Sequence, residues 1–159
     1  MDTKTFTRVA LIAAVYTVIS LVLAPFSFGP IQVRIAEALT ILPVFTPAAI
    51  PGLFIGCLLG NALGGAVIVD VIAGSIATLI GAIGTRMLRK TPYLAVLPPI
   101  IANALIVPFV LRYAYQIELP IPFMMLTVGA GEIISAGILG LILYFALKKH
   151  AKKLFGTED

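Results

Sequence analysis

The chain consists almost entirely of apolar runs of membrane-spanning length, separated by short polar segments. About 20 helical residues cross the hydrocarbon core of a bilayer. Of the 159 residues, 60% are hydrophobic and 11% are charged, whereas a soluble domain carries about 25% charged residues. The mean hydropathy is +1.12. The sequence therefore predicts an all-α membrane protein with one integral membrane domain over residues 1–159.

Proline, glycine and polar residues divide the chain into six predicted spans. They cover about residues 6–23, 34–45, 52–63, 67–88, 93–111 and 122–147. If the N-terminus is inside, only Arg34 and Arg112 of the 11 Lys and Arg residues lie outside, as the positive-inside rule requires. Both termini are therefore predicted to be cytoplasmic.

Several kinds of chemistry have no motif in this sequence. There is no GxxxxGK[ST] P-loop, no HExxH and no CxxC, and the single histidine, His150, lies in a basic tail. We expect no enzymatic activity, no metal site and no ATP site in the chain itself. The net charge of +4 reflects the cytoplasmic ends of the spans rather than a nucleic-acid partner.

Small residues recur at four-residue spacing, which lets helices approach closely in a membrane. On the third predicted span they are Gly52, Gly56, Gly60 and Gly64. This stripe predicts packing inside the protein rather than contact with another subunit. Ala10 and Ala14 form a weaker pair of the same kind on the first span.

Glu132 is the sharpest candidate for a functional residue. It lies about ten residues into the sixth span, so about 15 Å deep at a rise of about 1.5 Å per residue, near the bilayer midplane. Glycine and alanine on either side leave space beside the carboxylate. We interpret Glu132 as a ligand-binding group in a cavity, and an interhelical hydrogen bond is the alternative.

Other polar residues lie in or beside the spans. Asn103 is at a depth similar to that of Glu132 and suits either a hydrogen-bonding ring or helix–helix contact. Gln32, Arg34 and Glu37 lie within six residues at the mouth of the second span. Arg34 and Glu37 share a helix face, so they form either a self-neutralising pair or an entrance with Glu37 facing inward. Asp70 begins the fourth span, where the helix dipole alone explains an acid.

Three runs resemble the signature of the QueT family. They are GPIQVRIAEALTILP at residues 29–43, PGLFIGC at 51–57 and VGAGE at 128–132, and the resemblance extends over nearly all of the chain. The QueT family comprises substrate-binding S components of energy-coupling-factor (ECF) transporters, assigned to queuosine precursors.

The resemblance implies a bundle of six helices that captures a micronutrient at the plasma membrane of a prokaryote. A separate membrane coupling (T) subunit and two cytosolic ATPases would supply the energy, so ATP is used by the partners and this chain has no cofactor. Ala10 and Ala14 match the alanine motif that contacts the coupling subunit.

The implied ligand is a 7-deazaguanine such as 7-aminomethyl-7-deazaguanine or queuine. Its guanine-like edge has two adjacent N–H groups, and Glu132 can accept a hydrogen bond from each. The carbonyl of the ring needs a hydrogen-bond donor such as Asn103 or Gln32. A cationic arm would need a second carboxylate, Glu37 or Asp70, because charge-assisted hydrogen bonds are strong.

Three alternatives remain open at this point. The chain could be an S component for another vitamin-like ring compound. It could be a stand-alone secondary carrier that is coupled to protonation of Glu132 or Asp70. It could also be a structural membrane subunit without a ligand, in which Glu132 only joins helices.

Overall fold

The computed structural model describes residues 1–27 and 32–156, so residues 29–31 of the first QueT-like run lie outside the described residues. Helices are the only regular secondary structure within these ranges. In chain order they are α1 (Thr3–Val22), α2 (Ala24–Ser27), α3 (Ile35–Val44), α4 (Ala49–Leu63), α5 (Ile68–Met87), α6 (Pro92–Ala95), α7 (Leu97–Tyr113), α8 (Ile121–Glu132), α9 (Ile133–Leu139), α10 (Gly140–Lys148) and α11 (Ala151–Phe155).

The predicted all-helical class is confirmed. In the described part of the chain, four helical stretches are long and apolar enough to cross a membrane: Thr3–Val22, Ile68–Met87, Pro92–Tyr113 and Ile121–Lys148. Two further apolar helices are shorter, α3 and α4. Six spans and cytoplasmic termini stay predictions.

The two ends of the bundle are defined by different contacts. Near the C-terminus, the ring of Phe155 stacks on Phe45 with centroids 5.7 Å apart. An added Cβ on Gly156 would lie 3.5 Å from Nη2 of Arg8 on α1, so the start and the end of the described chain meet at this end. We call the opposite end, which carries residues 64–67 and 114–120, the distal end.

The glycine stripe on α4 packs against α1. An added Cβ on Gly52 would lie 3.0 Å from Ile12, and one on Gly56 would lie 2.8 Å from Cβ of Tyr16. Contacts this close leave no room for a side chain, so the two helices approach through their backbones. The predicted internal packing of this stripe is confirmed.

A second close contact, between α5 and α7, was not predicted from the sequence. An added Cβ on Gly81 would lie 2.7 Å from Cα of Pro99, and one on Gly84 would lie 2.5 Å from Cβ of Pro98. The two prolines therefore face the two glycines across the helix pair. This contact fixes α7, the helix that carries Asn103.

The short second segment, α3, is a 3₁₀ helix of 10 residues. A 3₁₀ helix rises about 2.0 Å per residue, so ten residues extend about 20 Å instead of about 15 Å in an α-helix. Nη1 of Arg86 on α5 donates a hydrogen bond of 3.1 Å to the carbonyl of Pro43 near the end of α3. This bond satisfies one of the carbonyls that a helix end leaves without an intrahelical partner.

The last long segment runs without interruption from Ile121 to Lys148, but its middle part, α9, is a π-helix. This part packs against α3. Short π turns inside α-helices occur often at functional sites. Glu132, the last residue of α8, lies directly before the π turn.

Candidate functional site

Glu132 lies at the centre of the candidate site. Glu132 is 3% exposed, and its Oε2 has no hydrogen-bond partner among the described residues. It borders a cavity of about 10 Å³ that is lined by Gln32, Arg34, Asn103, Val107, Val128 and Glu132. Burying a carboxylate oxygen without a hydrogen-bond donor costs free energy. A ligand that donates a hydrogen bond to this oxygen would offset that cost.

Gln32 reaches this cavity because its backbone lies against Gly131. An added Cβ on Gly131 would overlap the carbonyl oxygen of Gln32. Only glycine has no Cβ, so this position allows the segment before α3 to approach α8. The residue beside Glu132 therefore sets how close Gln32 comes to the carboxylate.

Glu37 is buried one helix away, on α3, and its residue is 1% exposed. The hydroxyl of Tyr16 on α1 donates a short hydrogen bond to Oε1 of Glu37. Nδ2 of Asn103 donates a bond of 3.4 Å to Oε2. Both oxygens of Glu37 thus have donors within the protein, unlike Oε2 of Glu132.

Asn103 joins the two carboxylates. It donates to Glu37 and also lines the cavity beside Glu132. An amide has both a donor and an acceptor end, so it can satisfy a carboxylate on one side and a ligand on the other. Asn103, which the sequence places on the fifth span at a depth similar to that of Glu132, is therefore part of the same cluster as Glu132.

Asp70 lies at the start of α5 and is buried. The hydroxyl of Tyr115, in the loop after α7, donates a 2.7 Å hydrogen bond to Oδ2 of Asp70. Nη2 of Arg34 lies 3.7 Å from the same oxygen. Burial, followed by the bond to Asp70, raises the pKa of Tyr115 to about 12, so the phenol keeps its proton at neutral pH.

Arg34 connects the two parts of the cluster. It lines the cavity beside Glu132 and also a second cavity of about 40 Å³, whose lining includes Tyr16, Asn61 and Asp70. The side chain of Arg34 is 22% exposed, so it lies at the border between the cluster and the surroundings. The two cavities are thus neighbours.

The structure brings the six predicted site residues together: Gln32, Arg34, Glu37, Asp70, Asn103 and Glu132. Their role in binding stays a prediction. Ala10 and Ala14 are exposed on α1 and line neither cavity. Tyr16 was not predicted to belong to the site, and the sequence did not indicate that Tyr115 bonds to Asp70. A tyrosine inside a span was the available signal for Tyr16, because this residue is usually found at membrane interfaces.

The apolar helices enclose carboxylates, an amide and a guanidinium. This arrangement is that of a multi-pass membrane protein with a polar site. The chain matches the family model described as QueT transporter over residues 6–149, nearly its whole length. It belongs to the QueT transporter family, which implies a role in membrane transport. No curated protein and no solved structure matches the chain.

Proposed function

We propose that this chain is the substrate-binding S subunit of an ATP-driven ECF importer and that it binds a queuosine precursor of the 7-deazaguanine type. The observation that supports the substrate is Oε2 of Glu132, which is buried beside Asn103 and Gln32 and has no hydrogen-bond partner among the described residues. The family membership supports the transport role. The plasma membrane of a prokaryote is the proposed location.

The chemistry of a deazaguanine suits these groups. Its adjacent ring and amino N–H groups can point at one carboxylate as a fork, a geometry in which charge-assisted bonds are strong. Glu132 is the acceptor in this proposal because it has a free oxygen. The amide N–H groups of Asn103 or Gln32 then donate to the carbonyl of the ring.

The cavity beside Glu132 must widen when a bicyclic base binds. Its volume is about 10 Å³, whereas pockets for small organic ligands measure about 300–1,000 Å³. Arg34 separates it from the neighbouring cavity of about 40 Å³. We expect Arg34 to move on binding, because its partly exposed side chain has room to leave the cluster.

The proposed energy source lies outside this chain. The sequence has no P-loop, so in this proposal ATP is bound and hydrolysed by two cytosolic ATPases that act through a membrane coupling subunit. Ala10 and Ala14 are exposed and four residues apart on α1. This spacing presents a flat strip of helix that a partner helix can approach closely.

Ala14→Leu is expected to lower ATP-driven uptake by the assembled transporter several-fold, because the larger side chain separates the two helices. Ligand affinity of the isolated chain should not change, since Ala14 is exposed on α1 and lines neither cavity. Uptake into vesicles and titration of the isolated chain test the two parts. Ala62→Leu, an exposed alanine on α4, is the matched control. Wild-type uptake by Ala14→Leu would place the coupling contact elsewhere.

The substrate is tested by calorimetric titration of the purified chain with 7-aminomethyl-7-deazaguanine, queuine, guanine, thiamine and riboflavin. Binding of the deazaguanines alone, with a dissociation constant in the nanomolar to low-micromolar range, is the expected result. Binding of thiamine or riboflavin instead would indicate an S component for another ring compound. Absence of binding by a folded protein would overturn the substrate proposal.

A proton-coupled secondary carrier is the second candidate function. The observation in its favour is that two buried carboxylates, Glu37 and Glu132, lie on either side of Asn103. Such carboxylate pairs serve as proton relays in transporters. The chain alone, reconstituted in liposomes, should accumulate no deazaguanine under a pH gradient if our proposal is right, and accumulation would favour the carrier.

A further inference from the structure

Two buried carboxylate oxygens lack a hydrogen-bond partner among the residues that the structure describes. One is Oε2 of Glu132, and the other is Oδ1 of Asp70. The two residues line different cavities, of about 10 Å³ and about 40 Å³. The structure therefore offers acceptors in two neighbouring cavities, whereas the site proposed above uses only the first.

Arg34 occupies the position between these acceptors. Its Nη2 lies 3.7 Å from Oδ2 of Asp70, whereas a charge-assisted N–H···O bond measures about 2.7–2.9 Å. The ion pair is therefore loose, and a better-placed cation can replace it. Asp70 lines one of the two cavities and Glu132 lines the other, whereas Arg34 lines both.

From this arrangement we infer that the cavity at Asp70 is the subsite for a positively charged arm of the substrate, whose ammonium group takes the place of Arg34. The inference rests on the proposed function, which puts the ring at Glu132. Asp70 is a better acceptor than Glu37, because both oxygens of Glu37 already accept bonds from Tyr16 and Asn103. Oδ1 of Asp70 accepts no hydrogen bond from the described residues, and Tyr115 keeps its bond to Oδ2.

The size of the cavity matches an arm rather than a ring. A cavity volume of about 10–15 Å³ holds one water molecule, and the cavity at Asp70 measures about 40 Å³. An aminomethyl group has two heavy atoms and fits a space of this order. The subsite therefore selects deazaguanines with a cationic arm over neutral ones with the same ring.

The experiment compares 7-aminomethyl-7-deazaguanine with 7-cyano-7-deazaguanine, which has the same ring without the positive charge. We expect the wild-type chain to prefer the amine at least tenfold in calorimetric titration. Asp70→Asn should reduce this preference below about threefold by weakening the amine alone. Glu118→Gln removes an exposed carboxylate at the same end and should leave the preference unchanged.

Arg34→Gln provides a second variant with the opposite sign. It removes the cation that competes for Asp70, so the preference for the amine should rise. A wild-type chain that binds both compounds equally, or variants of Asp70 and Arg34 that keep the wild-type preference, would overturn the arm subsite and leave the ring site standing. If the folded wild-type chain binds neither compound, the proposed function fails and this inference fails with it.

Discussion

Glu132→Gln is expected to weaken the binding of 7-aminomethyl-7-deazaguanine at least tenfold, which corresponds to about 1.4 kcal/mol. The carboxylate can accept both N–H groups of the guanine-like edge, whereas the amide has one acceptor and directs its own N–H₂ group at a donor. Oε2 of Glu132 has no protein donor among the described residues. The substitution therefore removes ligand contacts without breaking a hydrogen bond from that oxygen to the described residues.

The same exchange at an exposed acid distinguishes the effect of losing a negative charge from the effect of losing a ligand contact. Glu118→Gln also removes one negative charge at the distal end, but its side chain is exposed in the loop after α7. It should change the affinity by less than about twofold, since exposed charges interact weakly through water. Melting temperatures of both variants report whether the fold is kept. Wild-type affinity of a folded Glu132→Gln variant would remove this residue from the site.

Some of the site could be predicted because membrane helices make polar residues conspicuous. A carboxylate in a charge-free stretch such as that around Glu132 needs a partner or a cavity, since an unpaired charge in the bilayer is costly. Asn103 attracts attention for the same reason. The glycine stripe on α4 predicts close packing because the four-residue spacing puts bare backbone on one helix face.

The pairing of these groups could not be predicted, because it depends on contacts between helices that are distant in sequence. Tyr16 and Glu37 are 21 residues apart in the chain, and Asp70 and Tyr115 are 45 apart. The first pair forms only when α1 packs against α3, and the second only when the loop after α7 reaches α5. The sequence pattern also did not predict that α3 is a 3₁₀ helix. In a segment of 10 residues that is apolar on most sides, α and 3₁₀ periodicities cannot be told apart.

The contact between Gly131 and Gln32 shows how a backbone detail decides site geometry. The small residues of the VGAGE run predicted space beside Glu132. The sequence did not show that the carbonyl of Gln32 occupies the space left by Gly131. This contact holds the segment before α3 against α8. It thereby places the amide of Gln32 at the cavity that Glu132 also lines.

Gly131→Ala is accordingly expected to weaken deazaguanine binding at least tenfold. The added methyl group overlaps the Gln32 carbonyl, so either that segment or α8 must move, and Gln32 then leaves the Glu132 cavity. Helix propensity acts in the opposite direction, since alanine favours a helix over glycine by about 1 kcal/mol. A loss of affinity or of melting temperature is therefore attributable to the clash. Calorimetric titration and thermal unfolding measure the two effects.

Gly129→Ala is the matched control, because it makes the same exchange two residues earlier on the same helix. An added Cβ there would lie 3.7 Å from Cβ of Ala104, which is ordinary van der Waals contact. This variant gains the same helix propensity without a clash, so it should bind as the wild type does and unfold at the same or a higher temperature. If Gly131→Ala bound the ligand as tightly as Gly129→Ala, close approach of the Gln32 backbone would not be required for the site. The difference between the two alanines thus isolates one backbone contact from the general effect of losing a glycine.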